Sequence, residues 1–108
     1  MKFVIFVIDK PQNRATNTEM AAINEFNGAL QANKYWVMAA GISGGESVHL
    51  IDNREKRNQV LPGSLIGGAE NYTGFWIIES DSDEHALELA KEASRACNRR
   101  VELRPYLR

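Results

Sequence analysis

Apolar residues along the chain recur with two different periods, which predict strands and helices in turn. Lys2–Ile8 and Tyr72–Glu79 are runs of β-branched and aromatic residues that end at polar residues. Such runs are typical of strands. Tyr35–Ala40 predicts a further strand. Val101 and Leu103 alternate with polar residues in a way that predicts the last strand, which could extend to Tyr106.

A first helix is indicated between the first two strands. Thr16 precedes Glu19 by three residues, which is the capping-box spacing and predicts a helix that begins there. The apolar positions that follow share one face of this helix: Met20, Ile23, Phe26 and Leu30. Asn33 is expected to end the helix as a left-handed cap.

A second helix is predicted to begin after Ser82 and to continue to about Asn98. Its apolar stripe consists of small residues: Ala86, Ala90, Ala93 and Cys97. Small side chains let a helix lie close to a sheet, so Cys97 is expected to be a small buried apolar residue. His85, at the start of this helix, is expected to face solvent.

The region between the second and third main strands predicts an excursion from the sheet. Ser47–Ile51 and Gln59–Leu61 flank a polar stretch, which predicts a hairpin, and Pro62–Asn71 predicts an irregular loop. The order of elements is then β-α-β, hairpin, β-α-β. This order predicts an α+β fold with a ferredoxin-like antiparallel sheet and two helices on one face. The length of 108 residues suits one domain.

The predicted strands are apolar on both faces of the sheet. Successive side chains of a strand point to opposite faces, and both sets are apolar in the first strand: Phe3, Ile5 and Val7, and Val4, Phe6 and Ile8. Two helices cover only one face, and each large apolar side chain left in water forfeits roughly 1.5 to 3 kcal/mol. We therefore expect a homodimer in which the open faces of two sheets pack together.

The net charge and the hydropathy of the chain argue against some classes of binding partner. The chain has 13 Lys and Arg against 14 Asp and Glu, a formal net charge of -1, so no broad positive field attracts nucleic acid. The C-terminal end is locally basic, with Arg95, Arg99, Arg100, Arg104 and Arg108, but these arginines are interspersed with glutamates and are expected to form a solvated face rather than a phosphate site. No apolar run is long enough to span a membrane, and Phe3–Ile8 is too short for a signal-peptide core. We expect a cytoplasmic protein without a nucleic-acid or membrane partner.

Four segments of the chain carry a family resemblance: Ala15–Ala22, Ala39–Gly41, Thr73–Glu79 and Val101–Pro105. Together they resemble the YCII-related family, particularly its branch named for a DGPF motif. The resemblance covers nearly the whole chain and implies a single YCII-like domain over residues 1–108. It also implies a ferredoxin-like subunit of a dimeric α+β barrel, which agrees with the two apolar faces of the strands.

The chain departs from the resemblance at positions that bear on function. The segment expected to contain Asp-Gly-Pro-Phe is Pro62–Leu65, which keeps only the glycine, and Ile42 stands where the branch usually has a glutamate. Glu70 and Arg104 match residues that family members often carry. A catalytic His-Asp pair, suggested for some members, has no counterpart here by motif.

The candidate catalytic residues are His49, Arg104 and Glu70. His49 lies near Glu46 and Asp52 in sequence, and a histidine with a carboxylate partner is a general base at neutral pH. Strand alternation, however, places Asp52 on the opposite face from His49. A surface histidine without a catalytic partner is the alternative.

The candidate ligand-binding residues are Trp76, Arg104 and Asp9. Arg104 either binds a carboxylate or holds Glu70 or Asp9 in an ion pair. Trp36 and Trp76 either line a cleft for a small aromatic ligand or pack in the core or a dimer interface.

Metal and cofactor sites are not indicated. Two isolated histidines and one cysteine do not supply three convergent zinc ligands. Gly41–Gly45 lacks the Lys-Ser/Thr pair and the following helix of a phosphate loop. We therefore expect no metal and no cofactor.

Three functions are compatible with these features. The first is a homodimeric YCII-like protein of unassigned function that binds a small ligand or acts as an accessory protein. The second is a cofactor-independent isomerase or oxygenase acting on a small ring compound. The third is a protein-interaction module that uses the hairpin within Ser47–Leu61.

Overall fold

The computed structural model describes residues 1–65 and 68–107. In chain order, the elements are β1 (Lys2–Asp9), α1 (Asn17–Ala32), β2 (Trp36–Gly41), β3 (His49–Asp52), β4 (Gln59–Pro62), β5 (Asn71–Glu79), α2 (Asp83–Cys97) and β6 (Arg100–Pro105). The predicted types and order are confirmed. The loop predicted over Pro62–Asn71 includes Ile66 and Gly67, which lie outside the described residues, and the ends of this segment belong to β4 and β5.

The main sheet has four strands in the order β2-β5-β1-β6, and every neighbouring pair is antiparallel. This α+β arrangement is compatible with the predicted ferredoxin-like fold. β5 is interior and β6 is an edge strand, so Pro105 interrupts no pairing on its outer side. β3 and β4 pair only with each other and form the predicted hairpin.

One face of the main sheet packs against both helices. Its buried side chains come from the two central strands: Phe3, Ile5, Val7, Trp76 and Ile78. They pack with Phe26 and Leu30 of α1 and with the small-residue stripe of α2, in which Cys97 is buried as predicted. The capping box of Thr16 and Glu19 at the start of α1 is also present.

Met20 departs from the predicted core stripe of α1. Its side chain is 45% exposed, whereas Phe26 and Leu30 further along the helix are buried. Met20 borders a cleft, whereas Ile23, one turn later, already packs against the core. Met20 therefore lacks the packing partner that the helical period implied.

The left-handed residue at the end of α1 lies one position later than predicted. Asn33 has φ of -97° and is not left-handed, while Lys34 has φ of 64°. The amide of Lys34 donates to the carbonyl of Gln31, and that of Tyr35 donates to the carbonyl of Leu30. These two bonds make a Schellman motif whose left-handed position is Lys34. Asn33 is thus the C-cap of α1, as predicted, but the left-handed conformation expected of it is found at Lys34; the backbone amide and the side chain of Asn33 both donate to the carbonyl of Ala29.

A bulge changes which residues of β2 face the helices. The register against β5 shifts between Trp36 and Met38, so that both Trp36 and Ala39 pack against the core. Simple alternation would have placed these two residues on opposite faces. The extra residue in the bulge reverses the parity of the rest of the strand.

His85 is partly buried, so the expectation that it faces solvent is wrong. Its Nδ1 lies 2.9 Å from the hydroxyl of Ser80, and its ring packs edge-on against Tyr35 with centroids 4.5 Å apart. Ser80 is itself buried and contacts the carbonyl of Ser82. These contacts stabilise the turn that leads into α2.

The face of the sheet opposite the helices is apolar and accessible to solvent. Its central side chains are partly exposed: Val4, Phe6, Ile8, Phe75 and Ile77. We call this surface the open face. On β2 it continues to Met38, which pairs with Ile77 and is 45% exposed. Both faces of the central strands are thus apolar, as predicted.

The molecule is flat and extended for its length. It measures 45 × 35 × 18 Å and has a radius of gyration of 15.6 Å, against about 13 Å for a compact chain of this length. Its accessible surface is 7876 Å², against about 6,000 Å² for a compact protein of this mass. The open face and the hairpin account for this shape, because neither is covered by the rest of the described chain. No helix in residues 1–65 and 68–107 has the length and apolar character needed to cross a membrane.

Candidate functional site

A cleft of about 920 Å³ lies between the β3–β4 hairpin and the end of the main sheet. We call it the hairpin cleft. Its walls are formed by Ile42–Gly45, Val48–Leu50, Gly63–Leu65 and Gly68–Tyr72, together with Ile8 and Glu102. Antiparallel pairing brings Ile8 of β1 opposite Tyr72 of β5, so this end of the cleft is continuous with the open face.

Tyr72, Glu102 and Arg104 form a hydrogen-bonded cluster at that end of the cleft. The hydroxyl of Tyr72 donates to Glu102 Oε1 over 2.9 Å. Nη2 of Arg104 donates to the hydroxyl of Tyr72 over 2.7 Å and to Glu102 Oε1 over 2.8 Å. The candidate Arg104 thus pairs with Glu102, and the ion pair predicted with Glu70 or Asp9 is wrong.

The cluster is supported by an aromatic platform. The rings of Phe6 and Tyr72 stack with centroids 4.4 Å apart and an interplanar angle of 17°. The guanidinium carbon of Arg104 lies 5.6 Å from the Phe6 centroid and 5.8 Å from the Tyr72 centroid, within the range of a cation–π contact. Bonds from Arg104 and Tyr72 lower the pKa of Glu102. The bond to Glu102 raises the pKa of Tyr72, so its hydroxyl remains a donor.

Glu70, the second candidate acid, also lines the hairpin cleft but belongs to a different pair. Its Oε1 accepts a hydrogen bond from Nη2 of Arg100. The two acidic side chains among the described lining residues, Glu70 and Glu102, are therefore neutralised by arginines of β6. Glu70 and Arg104 lie in neighbouring but separate ion pairs.

His49 lines the hairpin cleft from β3 and has no carboxylate partner among the described side chains. Asp52 accepts hydrogen bonds from Arg54 at 3.0 and 2.8 Å, and these bonds lower the pKa of Asp52. The side chain of Glu46, the other acid near His49 in sequence, lies outside the described part of the structure. The imidazole of His49 is therefore not oriented by the carboxylate of Asp52.

Asp9 forms an ion pair with Arg99, and none of its hydrogen bonds within the described residues involves Arg104. Its Oδ2 accepts from Nε of Arg99 over 2.5 Å, and the Arg99 side chain is only 10% exposed. Arg99 also donates to Glu19, to the carbonyl of Cys97 and to the carbonyl of Asn13. Arg99 is therefore not part of a solvated face, because it joins β1, α1 and the start of β6.

Burial and hydrogen bonding act in opposite directions on Asp9. Burial alone would raise its pKa, but bonds from Arg99, from the Lys10 backbone and from Asn13 together lower it. The Glu19 pKa is lowered mainly by the backbone amide of Thr16, with contributions from Asn98 and Arg99.

Trp76 lies in the core and borders a second, separate cleft. Its side chain is 4% exposed, its Nε1 donates to Asn27 Oδ1 over 2.7 Å, and it packs edge-on against Phe26. The second cleft, about 550 Å³, lies between α1 and β2. We call it the helix cleft. Its walls include Arg14, Met20, Ile23, Asn27, Trp36 and Trp76.

Sequence reasoning missed Tyr72 and Asn27 as site residues. Simple alternation along β5 would have placed Tyr72 on the same face as Trp76, and only the register shift between Val7 and Ile8 brings it opposite Ile8 and beside Phe6. Asn27 carries no local signal either, because its contact with Trp76 joins residues 49 positions apart. Within residues 1–65 and 68–107, no three His, Cys, Asp or Glu side chains converge to hold a metal ion.

The sequence matches the family model of the YCII-related domain over residues 1–108. The chain belongs to the YCII-related domain family. No curated protein matches it. In this YCII-related chain, Gly63–Leu65 and Ile42 all line the hairpin cleft. Ile42 stands where the resemblance led us to expect a glutamate, and Gly63–Leu65 follow Pro62, which stands where it led us to expect an aspartate, so this side of the cleft lacks both acids.

Proposed function

We propose that the protein is a cytoplasmic homodimer that binds a small molecule in the hairpin cleft. The observation that carries the proposal is the cleft itself, about 920 Å³ in volume and bordered by the open face of the sheet. This volume lies within the range of roughly 300 to 1,000 Å³ typical of ligand sites. Apolar walls and a few polar groups such as His49 suit a ring compound of modest polarity.

The accessible surface supports a second copy as the occupant of the open face. The chain exposes 7876 Å², which exceeds the expectation for a compact protein of its mass by about 1,900 Å². A standard interface removes about 800 Å² from each partner. The excess is therefore large enough for a dimer interface in addition to the exposed hairpin.

The position of the hairpin cleft links ligand binding to dimerisation. Ile8, Tyr72 and Glu102 line the cleft and lie at the end of the open face. A second sheet packed on that face would cover this end of the cleft and exclude water from it. The ligand would then contact both copies.

Binding is better supported than catalysis by the groups in the cleft. Glu70 and Glu102 are held in ion pairs with arginines, which stabilises their charged forms. His49 has no orienting carboxylate from Asp52, which the template of a histidine general base requires. A cofactor-independent isomerase would need one of these acids released from its arginine.

Dimerisation is tested by light scattering of the purified protein with two lysine variants. Ile77→Lys places a charge on the open face, and Leu87→Lys places one on the exposed surface of α2. We expect wild type and Leu87→Lys to be dimers at micromolar concentration and Ile77→Lys to be a folded monomer. A monomeric wild-type protein would contradict the dimer.

Ligand binding is tested by a thermal-shift screen of small ring compounds. Ala69→Phe fills the hairpin cleft, while Ala29→Phe makes the same change on the exposed surface of α1. Compounds that stabilise wild type should stabilise Ala29→Phe equally and leave Ala69→Phe unchanged. Equal stabilisation of both variants would place the ligand elsewhere.

A further inference from the structure

The helix cleft on the other side of the sheet has the construction of a second ligand site. Met20 and Ile23 of α1 form one wall, and Trp36 and Trp76 contribute aromatic surface from the sheet. Met20 is 45% exposed although it lies on the apolar stripe of α1. A cleft of about 550 Å³ has room for a small ring compound against these apolar side chains.

The charge of the helix cleft is positive. Among the described residues that line it, the charged ones are Arg14 and Arg99. Arg99 is held by Asp9 and Glu19, so its charge is balanced locally. Arg14 makes no side-chain hydrogen bond or ion pair within residues 1–65 and 68–107. Its guanidinium is therefore available to a ligand.

The uncharged polar groups of the cleft add hydrogen-bond donors. Asn27 uses its Oδ1 to accept from Trp76, which leaves the two hydrogens of Nδ2 without a partner in the described part of the chain. The indole N–H of Trp36, a group that can only donate, is likewise unpaired there. Donors combined with an unpaired guanidinium favour an anionic oxygen acceptor.

The hairpin cleft offers no unpaired cation of this kind. Its charged lining residues are Glu70 and Glu102, which are already paired with Arg100 and Arg104, and no lysine or arginine is among its described lining residues. Of the described lining residues, the two clefts share Pro11 and Ile42–Gly44, which form a wall between them. Different ligands are therefore expected on the two sides of this wall.

We propose that the helix cleft binds a small planar ring compound that carries a carboxylate. The ring packs between the apolar side chains of α1 and the indole of Trp36. The carboxylate accepts hydrogen bonds from Arg14 and from the donor groups of the cleft. This site lies on the helix side of the sheet, so it stays outside a dimer interface on the open face.

Tryptophan fluorescence reports on this cleft directly, because both tryptophans of the chain line it. We would titrate the protein with benzoate, and with benzamide as its uncharged counterpart. Benzoate should change the fluorescence in a saturable way, with benzamide binding about tenfold more weakly, since a charge-assisted hydrogen bond contributes one to a few kcal/mol. Equal binding of benzoate and benzamide would overturn the proposal, as would the absence of saturable binding.

Two variants locate the binding site. Arg14→Gln should raise the dissociation constant for benzoate about tenfold, while the matched control Arg95→Gln, on the exposed surface of α2, should leave it unchanged. Ala39→Leu, on the helix side of β2, should abolish the fluorescence change by filling the cleft. Wild-type affinity in Arg14→Gln would overturn the assignment.

A further variant separates this site from the hairpin cleft. Ala69→Phe alters only the hairpin cleft, so its benzoate titration should match wild type whether or not the hairpin cleft binds a ligand.

Discussion

Arg99 and Asp9 form a largely buried ion pair between residues 90 positions apart, with Nε of the arginine 2.5 Å from Oδ2 of the aspartate. The same guanidinium reaches Glu19 in the first turn of α1 and the carbonyl of Asn13. One side chain thus joins the end of β1, the loop that follows it and the start of α1. That loop also contributes Pro11 to the wall between the two clefts.

Replacement of Arg99 by glutamine is expected to lower the free energy of unfolding by about 3 kcal/mol. The change leaves Asp9 largely buried without its cation, and unpaired buried charges are costly. Urea denaturation measures the change, with Arg95→Gln as the exposed control, for which we expect less than about 0.5 kcal/mol. A loss in Arg99→Gln no larger than that in the control would show that the network contributes little to stability.

The same ion-pair network makes the free energy of unfolding depend on pH in the acidic range. The pKa values of Asp9 and Glu19 are lower in the folded protein than their ordinary values of 3.8 and 4.5. The unfolded chain therefore binds protons at a higher pH than the native state does. The stabilisation is complete above the unfolded pKa values and is lost as the pH falls through the folded ones.

We expect the urea midpoint of wild type to fall between about pH 5 and pH 3. The fall should be shallower in Arg99→Gln, because that variant lacks one cause of both lowered pKa values. The measurement is a series of urea titrations at constant ionic strength. Parallel profiles for the two proteins would mean that Arg99 does not couple protonation to folding.

Some local features of this fold could be predicted from the sequence, and others could not. The strand β5 and the small-residue face of α2 were predictable because local periodicity determines which side chains are buried together. The left-handed position at Lys34 was not, because asparagine is the more usual residue there and the Schellman bonds were decided by the path of the chain into Tyr35.

The candidate site was predictable only in part. His49 and Glu70 do line one cleft, but the partners of Glu70, Asp9 and Arg104 depend on which strand ends the sheet brings together. Charged side chains have long reach and several possible partners, so composition and spacing do not select one. The bulge in β2 is a further example, since a single inserted residue moved Ala39 to the helix side without a local signal.

The contact between Gly44 and Pro11 leads to a last prediction, on the wall that the two clefts share. A Cβ at Gly44 would lie 2.9 Å from Cβ of Pro11, closer than van der Waals contact permits. The backbone of Gly44 is extended, with φ of -129°, so alanine is excluded by this neighbour and not by its own conformation. The loop that contains Pro11 must move for a side chain to fit.

Gly44→Ala is therefore expected to destabilise the protein by about 1–3 kcal/mol, as overpacking does. The matched control is Gly28→Ala in the interior of α1, where a Cβ meets no atom within 4 Å. Because alanine favours a helix over glycine, this control should stabilise the protein by about 0.5–1 kcal/mol. Thermal or urea unfolding of both variants gives the comparison. If Gly44→Ala were as stable as wild type, Pro11 would have to yield freely, and the wall would not hold the two clefts apart.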